Sequence, residues 1–459
     1  MKIIKNGLLI TMDSERRVIK EGAIALDGKF IKELGKATSI CAKWPDAEII
    51  DAAGHIVLPG FINAHDHLFQ ALLRGIGDDG LSLSEWYGTI WPLSRHIGRH
   101  ESYLAALICS ADMLSSGITT FVDSHYITRD KNCYDGIAQA VEEIGIRGVL
   151  GRSTIDIDPA PPEFWESVDV AVREAVRIIE AYHGKAEGRL TVRVEPLNEA
   201  LASKDMVLAM RDLSRSYNVG FSMHVAQTHG RVELCREKYG YPCVEWLYHL
   251  GVLGPDALLA HCVWVNDVEI DLLSSTNTKV VHNPVTNQLI ADGVAPVIKL
   301  LDRGIVVALG TDGAASNNGQ NMFETMKSAV LLQRVHRLDP RLLGAQKVLE
   351  MATIDAAQAI GMSDRLGSLE SGKLADLILV NMNVPQLVPS VGILSNIVYT
   401  APSNAVDLVM VNGQIVFKDR KVVTLDQEKL IETCNKKVES LVERAGISDV
   451  LTRGNWKMM

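Results

Sequence analysis

Cysteine pairing is the first thing this chain lacks. Its 459 residues include seven cysteines, at Cys41, Cys109, Cys133, Cys235, Cys243, Cys262 and Cys434, odd in number and without a CxxC pair. That pattern excludes a disulfide framework and a thiolate zinc site and predicts reduced thiols in a cytoplasmic protein. No Lys/Arg-rich run exists, and 46 basic against 56 acidic residues leave a net charge of −10, so a nucleic-acid backbone is not an expected partner. No stretch approaches about 18 consecutive apolar residues, and the start lacks a secretory signal, so neither a membrane nor an export route is expected. No GxGxxG follows the first strand, which counts against a dinucleotide fold. What is present is a 47% hydrophobic composition, enough for large cores and incompatible with wholesale disorder.

Short β-type runs broken by turns fill residues 1–57, and the same texture returns after residue 372, where Asn412-Gly413 signals a hairpin. The expectation is a small β-sandwich assembled from residues 1–57 and 370–425. A helical tail follows over 426–459, with Leu430, Ile431, Cys434, Val438, Leu441 and Val442 on one face, docked on the body. Between the two ends, apolar strands alternate with amphipathic stretches. Eight strands are predicted, at 56–64, 119–123, 148–152, 190–195, 220–225, 258–263, 279–282 and 305–309. The fold class read from this is α/β, a (β/α)8 barrel over residues 58–369, with an open doubly wound sheet as the alternative.

Every predicted strand ends in polar or ionisable groups: His65-Asp66-His67, Asp123-Ser124-His125, Arg152, Glu195, His224, His261, His282-Asn283 and Thr311-Asp312. In a barrel these ends converge on one mouth. His65 and His67 stand two apart, so both imidazoles leave an extended chain on the same side. With His224 and Asp312 they complete an N3O donor set that suits a catalytic Zn²⁺, or Fe²⁺, with room for water.

At this point the chain resembles a known superfamily. Leu58-Pro-Gly-Phe-Ile-Asn-Ala-His-Asp-His looks like the opening signature of the amidohydrolases. His224-Val-Ala-Gln, Ala260-His-Cys-Val, His282-Asn-Pro-Val-Thr-Asn and Gly310-Thr-Asp-Gly-Ala-Ala-Ser-Asn-Asn resemble its branch of aminohydrolases on heteroaromatic rings, as does the terminal Gly367-Ser-Leu-Glu-Ser-Gly-Lys-Leu-Ala-Asp-Leu. That branch includes methylthioadenosine/S-adenosylhomocysteine deaminases, guanine and 8-oxoguanine deaminases, and the atrazine chlorohydrolase/melamine deaminase group. The resemblance implies one metal on His65, His67, His224 and Asp312, a barrel with a flanking β-sandwich, and a homo-oligomer of two or four chains. The chemistry of the ligands then implies hydrolysis: metal-bound hydroxide adds to a ring carbon, which expels ammonia or chloride. Asp312 would accept the water proton and pass it to the leaving group, and His261 would orient the attacking oxygen.

Three departures bear on the substrate. Where the branch usually has a Glu three residues after the strand-five histidine, this chain has Gln227, which can donate a hydrogen bond but cannot shuttle a proton at neutral pH. Either another group, Glu195 or His282, protonates the ring, or the substrate needs less proton transfer, or the chain is an altered, non-catalytic form. Glu195-Pro196-Leu197 and Pro92-Leu93-Ser94 replace motifs expected to hold a ribose. A compact s-triazine, oxopurine or pterin is therefore expected, with weak local likeness to the triazine group, and water as co-substrate. Gln70, Trp86, Trp91, His125, His282 and Asn287 are candidates for the pocket wall, each with a packing or capping alternative. Glu195 admits a further reading, in which it bridges a second metal held by His224 and His261, as in cyclic-amide hydrolases.

Overall fold

The computed structural model describes residues 1–76 and 80–447. Eight parallel strands, Phe61–Asp66, Ile118–His125, Arg147–Thr154, Leu190–Pro196, Gly220–Val225, Ala257–His261, Lys279–His282 and Val307–Leu309, pair in sequence order. The last meets the first through the Asp312 N–H, which donates to the carbonyl of His65 at 3.0 Å. The Asn63 side chain also spans the seam, accepting from the Thr311 N–H at 2.9 Å. Ile62, Ala64, Val122, Val149, Leu258, Val281 and Ala308 form their own apolar cluster with Ala356, Ile360 and Leu366. A filled barrel of this kind leaves only the strand ends for chemistry.

A nine-stranded mixed sheet draws on both ends of the chain. His55–Pro59 stitches the halves together, running parallel to Lys2–Ile10 and antiparallel to Leu377–Asn381. Asn412 and Gly413 both have positive φ, 48° and 72°, and close the hairpin between Val406–Val411 and Gln414–Lys418 as their sequence implies. The sheet is pinned to the barrel by Arg147, 1% exposed, whose guanidinium reaches Asp376 at 2.9 Å and Asn412 at 2.6 Å.

The predicted strand over 56–64 is two strands in two sheets. The chain turns at Gly60, where a Cβ would lie 2.2 Å from Oγ1 of Thr119 on the next barrel strand. Gly60→Ala is therefore expected to destabilise the fold by about 1–3 kcal/mol through overpacking. Unchanged urea unfolding in that variant would contradict the account.

The terminal helix Gln427–Ala445 starts on Asp426, whose side chain accepts from the Lys429 N–H, and it buries Leu430, Cys434, Leu441 and Val442. Ile431 is left facing solvent, 43% exposed. Lys437 and Arg444 reach Glu101 on the helix Arg99–Ser115, at 3.3 and 3.2 Å. Among the described residues no helix is long and apolar enough to cross a membrane.

Candidate active site

His65 and His67 leave the first barrel strand, His224 the fifth, His261 the sixth, and Asp312 follows the eighth. The Nδ1 atoms of His67 and His224 face main-chain carbonyls, of Ser124 at 2.6 Å and Leu197 at 3.0 Å. A carbonyl only accepts, so Nδ1 carries the proton in both rings and Nε2 offers a bare lone pair. Those two lone pairs point at each other across 3.2 Å. Nε2 of His65 is buried without a partner, and the Asp312 carboxylate lies 3.4 Å from Nε2 of His67 and 3.8 Å from those of His65 and His261. Burial holds all four imidazoles below their ordinary pKa, His224 and His261 at about 4, so they stand neutral at pH 7.

Three converging imidazole lone pairs and a carboxylate outnumber the two hydrogens of a water and form a donor set that a cation satisfies. The donors form two triads that share His65: His65–His67–His224 and His65–His261–Asp312. Main-chain strain accompanies them. Asp312 has φ 63° and His261 φ 74°, left-handed conformations that the surrounding barrel must hold in place. Gly313 follows Asp312 because Gln70 lies against it; a Cβ there would fall 2.1 Å from the Gln70 Oε1.

A narrow cavity opens onto this cluster, walled by Gln70, Trp86 and Gln227 together with His67, His224, His261 and Asp312. The Trp86 indole N–H donates to the carbonyl of Ala315 at 2.9 Å, which fixes the ring. Leu83 and Tyr87 also line a larger vestibule of about 740 Å³, and Trp91 belongs to that outer space rather than to the inner cavity. Asn287 stands behind the cavity, its Oδ1 3.4 Å from Nδ1 of His261.

His125, His282 and Glu195 do not reach the inner cavity. His125 is sealed between Phe69 and Tyr134, with ring centroids 5.6 and 5.2 Å away, and burial drives it down to about 3. His282 is equally enclosed and also near 3. Glu195 sits on the far side of His224, its Oε1 3.1 Å from Nδ1, with burial raising it to about 7. It belongs to neither metal-competent triad, so the bridging role considered for it has no geometric counterpart among the described residues.

The strand-end reading missed Leu83, Tyr87, Tyr126, Thr286, Ile290 and Ser316 in the wall, and Asp292 behind it. The Gln227 Nε2 donates to Oδ2 of Asp292 at 2.8 Å, and burial raises Asp292 to about 7. Asp292 lies on the loop between the helices Pro284–Leu289 and Val297–Asp302, where its only signal was a carboxylate in an otherwise apolar stretch.

The Amidohydrolase family matches residues 56–416. This chain belongs to that family. As an amidohydrolase it is 36% identical to a 5'-deoxyadenosine deaminase of Methanosarcina mazei, over 96% of this chain and 98% of the relative. An adenosine deaminase from Xanthomonas campestris with bound zinc superposes with a TM-score of 0.90 at 25% identity, covering 96% of this chain and 98% of the other. Atrazine chlorohydrolase from Arthrobacter aurescens, complexed with zinc, gives 0.89 at 26% identity, with 95% and 100% covered. The barrel and the mixed sheet from both chain ends are thus the architecture of this amidohydrolase along nearly its whole length.

Proposed function

We propose that this amidohydrolase is a metal-dependent aminohydrolase that replaces an exocyclic amino group on a nitrogen heterocycle with oxygen, releasing ammonia. The observation that carries the reading is the pair of bare Nε2 lone pairs on His67 and His224, 3.2 Å apart beside Asp312 in a cavity walled by Trp86 and Gln227. The named relatives, deaminases of adenosine derivatives and a zinc-bound chlorohydrolase of a triazine, act on rings of this class. His65, His67, His224 and Asp312 would hold one divalent cation, with Zn²⁺ the best fit to an N3O set. When bound, that ion supplies Lewis acidity and lowers the pKa of water towards neutrality.

The chain's own groups do the rest. Asp312 accepts the proton of the attacking water and returns it to the departing nitrogen. His261, whose Nδ1 stands 3.4 Å from Oδ1 of Asn287, orients the oxygen on the reacting carbon. Trp86 flanks the ring, and the vestibule beyond Leu83 and Tyr87 takes whatever substituent the ring carries, including one larger than a bare base needs.

Purified protein loaded with Zn²⁺ is expected to release ammonia from at least one member of a panel of aminated triazines, oxopurines, pterins and adenosine derivatives. No turnover on any of them, with metal bound, would remove the aminohydrolase reading and favour a non-catalytic relative.

A further inference from the structure

Gln227 occupies the place where the resembling deaminases carry a carboxylate, and the structure shows what has replaced it. Its amide Nε2 donates to Oδ2 of Asp292 at 2.8 Å, and among the described residues no group donates to its Oε1. Asp292 is itself firmly placed. It is 5% exposed, its N–H donates to the carbonyl of Asn287 at 3.0 Å, and its own carbonyl accepts from the Trp264 indole at 2.6 Å. The charged groups acting on its carboxylate are Arg231, attractive, and Asp312, repulsive.

In its ionised form the Asp292 carboxylate accepts and cannot donate, so it selects the NH₂ end of the amide, as the 2.8 Å contact from Nε2 shows. Oε1 diverges from Nε2 at the amide carbon and takes no hydrogen bond among the described residues, so with Nε2 tied to Asp292 the amide end left free in the cavity wall, which Gln227 lines with His224, His261 and Asp312, is its oxygen. The wall beside the reacting ring is then a hydrogen-bond acceptor. A ring nitrogen with a bare lone pair meets that oxygen as a second lone pair; a ring N–H meets it as a partner.

We propose that Asp292 is a positioning residue that sets specificity: by holding Gln227 through its amide N–H, it makes the site select aminated heterocycles of the lactam class, which present a ring N–H beside the carbon under attack. The proposal rests on the aminohydrolase reading and narrows its substrate class.

The test uses matched substrates that share an exocyclic amino group and differ at the neighbouring ring nitrogen: guanine against 2-aminopurine, and a mono-oxo diamino-triazine against melamine. Ammonia release is followed with the Zn²⁺-loaded full chain in mildly alkaline buffer. The wild type is expected to favour the lactam member of each pair by about tenfold or more in kcat/KM. In Asp292→Asn the partner is neutral and can bond either end of the amide, so the ratio should fall towards unity. Asp292→Glu retains the carboxylate and should keep the preference at a reduced rate. Gln227→Met removes the acceptor and should lose the preference even if Asp292→Asn proves too unstable to assay. The ratio is taken within one protein sample, so a lowered folded fraction does not move it. A wild type that prefers the bare-nitrogen member, or an Asp292→Asn ratio equal to the wild type's, overturns the proposal while leaving the aminohydrolase reading intact. Absence of ammonia from every substrate, with metal bound, overturns both.

Discussion

Stripping the divalent cation with a chelator is expected to lower ammonia release by at least about 10³-fold, and one equivalent of Zn²⁺ per chain to restore it. The size of the effect follows from what remains when the ion is gone. His67 and His224 then face each other as two acceptors at 3.2 Å, and Asp312 is left as a base with no Lewis acid to lower the pKa of the water it would deprotonate. Because the imidazoles are held neutral by burial, the site needs little deprotonation at pH 7 before it can take the ion. The same binding should raise the melting temperature, since an ion that binds the folded chain alone adds about 4 kcal/mol at a thousandfold excess over Kd. Elemental analysis fixes the stoichiometry. Activity that survives complete metal removal, or two tightly held ions per chain, would defeat the single-ion account. His65→Ala should reproduce the loss without a chelator, because His65 belongs to both donor triads.

The parts of this site that could be read in advance share one physical origin. An ionisable residue directly after an apolar strand, at the carboxyl end of a barrel, either lines the mouth or pays for its burial. His65, His67, His224, His261 and Asp312 obey that rule and converge. Glu195, His125 and His282 obey the same rule in sequence, yet they do not line the cavity. Which way a terminal residue faces depends on how its strand sits against both neighbours, and an apolar run that ends in an ionisable residue does not report that. The break at Gly60 has a local signal, because Pro59-Gly60 is a turn pair inside the run from Ile56 to Ala64, and the Thr119 side chain of the next barrel strand lies where a Cβ at Gly60 would fall. Asp292 was invisible because it sits on a loop between two short helices, and only the folded chain brings it to Gln227.

Asp312→Asn is expected to cost about 10³-fold or more in kcat while leaving the fold intact, and the reasoning turns on the backbone. Asp312 has φ 63°, a left-handed conformation that Asp and Asn tolerate better than other side chains. An alanine there would mix a conformational penalty with the chemical one, whereas asparagine keeps the shape and hydrogen bonds and removes only the charge and basicity. The neighbouring Gly313 N–H, which donates to the Asp312 Oδ1 at 2.7 Å, and the Gln320 amide, which donates to its main-chain carbonyl at 3.1 Å, keep their partners in the variant. What disappears is the group that takes the proton of the attacking water and hands it to the leaving nitrogen, a transfer worth about 10²–10⁴-fold in general acid–base catalysis. Weaker metal binding adds to the loss, and the two contributions separate on titration with Zn²⁺. Saturating metal should recover the second part of the defect and leave the first. If saturating Zn²⁺ returned full activity, Asp312 would be a ligand only, and the proton would have to travel by way of His261, the imidazole whose Nε2 stands 3.8 Å from the same carboxylate.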